Sequence, residues 1–270
     1  MYDVVLSLLE LGRSLIQEVF SIDQTCHEAA TSLITRASAS LYGGGPWTRQ
    51  SSVVRDQHLI HRSFSAARMT TYEGAVAHAR LRAHPFELYR WNMRVSGAFL
   101  LPLHTCEVVI RNAVAEAVAQ RHGALWPWQE GFRASLPGGT ARYNAREELR
   151  RVASNHTSTA AVIASLRFAF WQHLFTQRFD RTLWSKALRH VLPGADPEMP
   201  EYLLRAQLHG QLEQVRQLRN RIAHHEPIFA RDLALDLATI GRIVQMRCPH
   251  TERWMTRHES VTSWLKRRPV

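Results

Sequence analysis

From Phe64 to the end of the chain, apolar residues return at three- and four-residue steps, and no stretch alternates apolar with polar at the two-residue period of a strand. A chain patterned this way buries its apolar surface by packing helices against one another. The expected fold class is therefore all-α, with helices over about 66–80, 84–121, 141–154, 159–178, 180–191, 199–225, 230–246 and 250–266. No segment recurs at a fixed period, which excludes a helical solenoid. Pro137-Gly138-Gly139 and Pro193-Gly194 supply turn chemistry between helices.

The 270 residues suffice for one large domain or two modest ones. Near the N-terminus Val5, Leu8, Leu9, Leu15, Ile16, Val19 and Phe20 describe one amphipathic helix, and a second is expected over 23–41. Gly43-Gly44-Gly45-Pro46 then stops it, because glycine is costly in a helix and proline cannot donate its backbone hydrogen bond. Residues 1–60 hold four arginines against six acidic groups, a charge of −2, while the whole chain carries +11, leaving +13 on residues 61–270. The expected division is an N-terminal helical extension, 1–60, and a main domain, 61–270. The leader reads either as an added extension or as sequence upstream of the true start.

Hydrophobic residues at 45% and charged residues at 21% exclude a disordered chain. The excess of 34 basic over 23 acidic residues favours polyanionic partners, nucleic acid above all. That signal is discounted by its make-up: only Lys186 and Lys266 are lysines, as expected of GC-rich coding DNA. Cys26, Cys106 and Cys248 form no CxxC pair, which suits a reducing, cytoplasmic compartment. Cys248 and His250 lack a second ligand pair, so neither metal nor cofactor is expected. The most apolar stretch, from Ala98 to Ile110, is short and interrupted by His104 and Glu107, so no membrane span is expected.

Chemistry concentrates in Gln217-Leu218-Arg219-Asn220-Arg221-Ile222-Ala223-His224-His225-Glu226-Pro227, at the end of a helix that Pro227 helps terminate. On a regular helix Asn220 and His224 share a face, as do Arg221 and His225, whereas Arg219 lies about 140° around from His224. A guanidinium beside an imidazole suits phosphodiester chemistry, since arginine grips phosphate oxygens bidentately and histidine moves protons near neutrality. The same residues would also stabilise the carboxyl end of the helix dipole. Trp91 and Trp171 belong to a core by their apolar neighbours, while Trp126-Pro127-Trp128 is expected in a loop, where it could stack on RNA bases.

The segment RNRIAHHEPIF resembles the Abi-like (AbiD/AbiF-type) abortive-infection proteins of the HEPN superfamily, with their R-x4-6-H motif. Other elements agree in order: Phe86-Glu87-Leu88-Tyr89-Arg90-Trp91-Asn92 resembles the family's LYxWN element, and Leu103 to Ala113 resembles its LEVxLRN helix. Phe168-Ala169-Phe170-Trp171 resembles FGFW with Ala169 in place of glycine. The resemblance spans about residues 63–266.

It implies a HEPN-like helical bundle with Arg219, Asn220 and His224 in the catalytic motif, His225 adjacent to it, and Glu107 and Arg111 in support. It further implies a metal-independent endoribonuclease of a bacterial abortive-infection or toxin-antitoxin system. In this chemistry histidine promotes attack by the RNA 2′-hydroxyl and arginine stabilises the developing charge, leaving a 2′,3′-cyclic phosphate and a 5′-hydroxyl. Implied partners are RNA, a second copy of the chain that brings two motifs together, and an antitoxin from a neighbouring gene. The alternative is a non-catalytic RNA- or protein-binding module of the same fold. For Glu107 two readings stand: a polar group bordering the cleft, or an ion pair with Arg111 one turn on.

Overall fold

A computed structural model describes residues 57–80, 83–138 and 143–269. Of these, 76% are helical and none is in a strand, so the fold is all-α. The helices expected over 5–20 and 23–41, and the Gly43–Pro46 linker, lie outside the described residues. The chain divides into two compact units, 1–70 and 71–270. Of the first, residues 57–64 are helical and Ser65 takes a positive φ of 71° before the next helix starts. That helix, α1 (Ala66–His78), carries the division within it.

The second unit is built around α3 (Leu100–His122), which buries residues on most of its circumference, among them Cys106, Ile110, Ala113, Val114, Ala117 and Val118. Its main neighbour is α10 (Leu233–Arg247); α7 (Phe168–His173), α8 (Ser185–Val191) and α11 (Pro249–His258) also pack on it. The long α9 (Glu201–Ala223) lies against α7, α8 and α10. On one side α4 (Glu130–Ser135), α5 (Ala145–Ser154) and α6 (Thr159–Ser165) gather around a 3-10 turn at Trp126–Trp128. The closing α12 (Val261–Leu265) seats on α2 (Pro85–Ala98), where Trp91 Nε1 donates to the Trp264 carbonyl at 2.7 Å.

The structure divides several helices that periodicity runs together. The stretch expected over 84–121 is α2 and α3, separated at Phe99, because Pro102 has no N–H for the carbonyl of Ala98. By length and composition the 85–122 stretch is apolar enough to cross a membrane, contrary to the sequence reading. The two helices continue each other in hydrogen bonding, Phe99 N to Val95 O and Leu103 N to Phe99 O, so the polar His104 and Glu107 no longer cut the stretch short. Gly123, at φ 83°, ends α3 in a conformation that side chains resist.

The helix expected over 159–178 breaks at Leu166–Arg167, both extended. Buried Glu148 causes this: it accepts the Arg167 backbone N–H at 2.8 Å and its guanidinium at 2.6 and 2.9 Å, occupying an N–H that a continuous helix would need. Asp180–Trp184 is a π-helical turn leading into α8, clasped by buried Arg205 on α9, whose Nε meets Asp180 at 2.7 Å. The 250–266 helix splits at extended Glu259. Helix α4 and the 3-10 turn at Trp126–Trp128 escape the sequence reading, and the stacking platform expected there is absent. Trp126 is fully buried and Trp128 Nε1 donates to the Ala153 carbonyl at 3.1 Å, so these rings are core. Pro193-Gly194 is more than a turn: a Cβ on Gly194 would stand 2.7 Å from the carbonyl oxygen of Gln245 on α10.

Candidate nucleic-acid site

The largest concavity described is a cleft of about 640 Å³ between α9 and the α7 region, into which both Arg219 and Asn220 face. Along α9, His209, Glu213, Arg216 and Asn220 fall at i, i+4, i+7 and i+11, one helical stripe, and all four line it. The opposite wall carries Tyr143, Arg167, Phe168, Ala169, Gln172 and His173.

Two of the three cleft arginines are already neutralised. Arg167 is held by Glu148 and lies over the Tyr143 ring, 5.5 Å from its centroid. Arg216 pairs bidentately with Glu213, at 2.7 and 3.0 Å. Glu213 also accepts from Gln172 Nε2 at 2.7 Å and Gln217 Nε2 at 3.0 Å, which ties α9 to α7. These donors, Arg216 foremost, lower its carboxyl pKa to about 2. Among the described residues Arg219 is exposed and makes neither ion pair nor hydrogen bond, so it is the cleft guanidinium available to a ligand. Tyr143, pushed above its ordinary pKa by burial and by the Glu148 carboxylate, stays protonated.

The helix end separates the motif's histidines from this wall. Helix α9 stops at Ala223 with His224 as its cap. Glu226 N then bonds to Arg221 O at 2.8 Å and His225 N to Ile222 O at 3.1 Å, the two bonds of a Schellman closure. His225 occupies the left-handed position, φ 56°, that usually belongs to glycine. It has therefore left the helical spiral, and the face expected to join it to Arg221 does not exist. Arg221 turns instead to the loop, donating to the Pro227 carbonyl at 3.2 Å. His225 lines a second, more apolar pocket of about 410 Å³ with Tyr89, Asn92 and Met93, and exposed His224 lines neither. The loop beyond is pinned by buried Asn92, whose Oδ1 accepts the Ile228 N–H at 2.8 Å.

Glu107 and Arg111 sit half-buried on α3, outside the lining of the cleft. No ion pair within 4.0 Å joins them, and the buried Arg111 Nε finds no acceptor among the described residues. Among the described residues no three His, Cys, Asp or Glu side chains converge as metal ligands. The chain matches no protein-family model, no curated protein and no solved structure.

Sequence reasoning finds Arg219 and Asn220 but misses the rest of their cleft. His173, His209, Glu213 and Arg216 carry no short motif. The one sequence signal is the polar stripe at 209, 213, 216 and 220 in a helix otherwise rich in leucine.

Proposed function

We propose that the chain is a metal-independent endoribonuclease of the Abi-like, HEPN type that cleaves RNA in bacterial phage defence. One observation carries the reading: Arg219, next to Asn220, is the unpaired guanidinium of a cleft whose other two arginines are matched by carboxylates. A single free cation beside an amide and imidazoles suits one phosphodiester, held at Arg219 so that the guanidinium meets the charge that grows on its oxygens. The 2′-hydroxyl of the preceding ribose attacks phosphorus, and its proton passes to His224. Because the helix end turns His224 out of its own chain's cleft, that histidine comes from a second copy paired about a two-fold axis.

A second reading, a non-catalytic RNA-binding module, is favoured by the same placement of His224, which leaves the cleft of one chain a pure anion site. A mixing experiment decides between them. Arg219→Ala and His224→Ala chains, each inactive alone on labelled RNA in EDTA, should recover activity together, and a DNA strand of the same sequence should stay intact. RNA binding by wild type without cleavage would leave the binding module. Cleavage that needs magnesium and leaves a 5′-phosphate would place the chemistry elsewhere.

A further inference from the structure

The cleft that holds Arg219 contains two imidazoles outside the motif. His209 stands on α9 one turn before Glu213, and His173 closes α7 on the facing wall. The His173 ring is wedged edge-on between Tyr143 and Phe179, with centroids 5.9 and 6.3 Å away, and its Nε2 is buried with no hydrogen-bond partner among the described residues. Burial first, then the charges of His209 and Arg178, hold its pKa below the ordinary value, so His173 is the imidazole of the pair that stays neutral. His209 is half-exposed and carries no such wedge.

The charged and titratable groups that share the cleft with His209 leave it little competition. Glu213 and Arg216 on its own helix satisfy each other, and Arg167 across the cleft is held by Glu148. Tyr143 remains a phenol. Arg219 stays charged and provides no proton. What faces a bound phosphodiester is thus one fixed cation and one imidazole able to change its protonation near neutrality.

Resting on the ribonuclease reading, we propose that His209 is the general acid of the cleavage step, giving its proton to the 5′-oxygen as that oxygen leaves phosphorus. The O2′–P bond forms as the P–O5′ bond breaks. The proton on O2′ goes to His224 of the second copy, and the electron pair left on O5′ takes the proton of the His209 imidazolium. One imidazole gains what the other loses, and the products are a 2′,3′-cyclic phosphate and a 5′-hydroxyl. A site with its acid fixed in the cleft and its base contributed by the neighbouring chain assembles both groups only when two copies meet.

The test uses the purified full chain and two RNA oligonucleotides, identical except that one carries sulfur in place of the bridging 5′-oxygen at a single linkage. A thiolate leaves without needing a proton. His209→Ala is expected to slow the ordinary linkage about 10²- to 10⁴-fold and to recover most of the wild-type rate on the sulfur linkage. His224→Ala should stay slow on both. The fall in wild-type rate at high pH, where the acid loses its proton, should vanish in the His209 variant. His209→Gln, which keeps a hydrogen-bond donor of similar bulk, should behave as His209→Ala, and helical circular dichroism checks that both variants fold. Wild-type speed in either variant, or equal slowing on both linkages by a folded variant, would overturn the assignment of His209 and leave the ribonuclease reading standing. A wild-type protein that cuts neither linkage overturns both.

Discussion

Replacing Asn92 with alanine should loosen the loop behind the Arg219–His224 helix while leaving the rest of the fold in place. The side chain is 4% exposed and its Oδ1 is the acceptor for the backbone N–H of Ile228, itself fully buried. Water cannot replace that acceptor without opening the loop. A buried donor left without its partner costs about 1–3 kcal/mol, and we take about 2 kcal/mol, since the small cavity adds little. For a folded unit of this size each kcal/mol moves the melting temperature by about 2–4 °C, so a fall of roughly 4–8 °C is expected by differential scanning calorimetry.

A local readout separates this cause from general weakening. Amide exchange at Ile228, and at His225 and Glu226 in the Schellman turn just before it, should accelerate more than exchange in the middle of α3. Asn112→Ala, at an exposed position on α3, should shift stability by no more than about 0.5 kcal/mol. If Asn92→Ala melts within a degree of wild type, or if Ile228 exchanges no faster, then the Asn92 contact does not hold the loop and the argument fails.

Three further outcomes follow from the geometry. His225→Gly should stabilise the chain by about 1 kcal/mol in urea denaturation, because glycine occupies φ 56° without the cost a Cβ carries there; destabilisation would show that the imidazole makes a contact worth more than the backbone strain. Gly194→Ala should destabilise by about 1–3 kcal/mol, read from the same curves, since its methyl would meet the Gln245 carbonyl and the backbone must move. Glu213, with its folded pKa lowered from 4.5 to about 2, stabilises the fold above pH 4.5, and that contribution disappears as pH falls toward 2. On a carboxylate one-third exposed, screening leaves about 1 kcal/mol. Glu213→Gln should therefore lose stability at pH 7 but approach wild type near pH 2, and a difference independent of pH would contradict this.

The fold class was legible because helical periodicity survives any rearrangement of neighbours. Helix α9 is expected over 199–225 and observed at Glu201–Ala223, and α10 is expected over 230–246 and observed at Leu233–Arg247. The breaks were not legible where their cause is a distant partner. Nothing local tells that Glu148 will take the Arg167 N–H, nineteen positions away, and end a helix that residues 159–178 could otherwise have formed. Trp126 misled for a related reason: a Trp-Pro-Trp run looks like loop until α4 and α5, each only a turn or two long, close around it.

The site divides along the same line. Arg219 and Asn220 are adjacent in sequence, so a local motif finds them, and their exposure on one side of α9 needs only helix geometry. Which arginine is free depends on which carboxylates return to the cleft, and Glu148 and Glu213 satisfy Arg167 and Arg216 through contacts of different range, one between two helices and one within a single helical turn. Charge counting over the whole chain, +11, therefore says less about the ligand than this pairing does. With two of three guanidiniums matched, the cleft presents one positive group to one phosphate, a feature suited to gripping a single linkage of a flexible strand rather than tracking a long backbone. A surface of unmatched arginines would bind RNA more tightly and position it less well, whereas one free cation beside fixed imidazoles favours placement over grip.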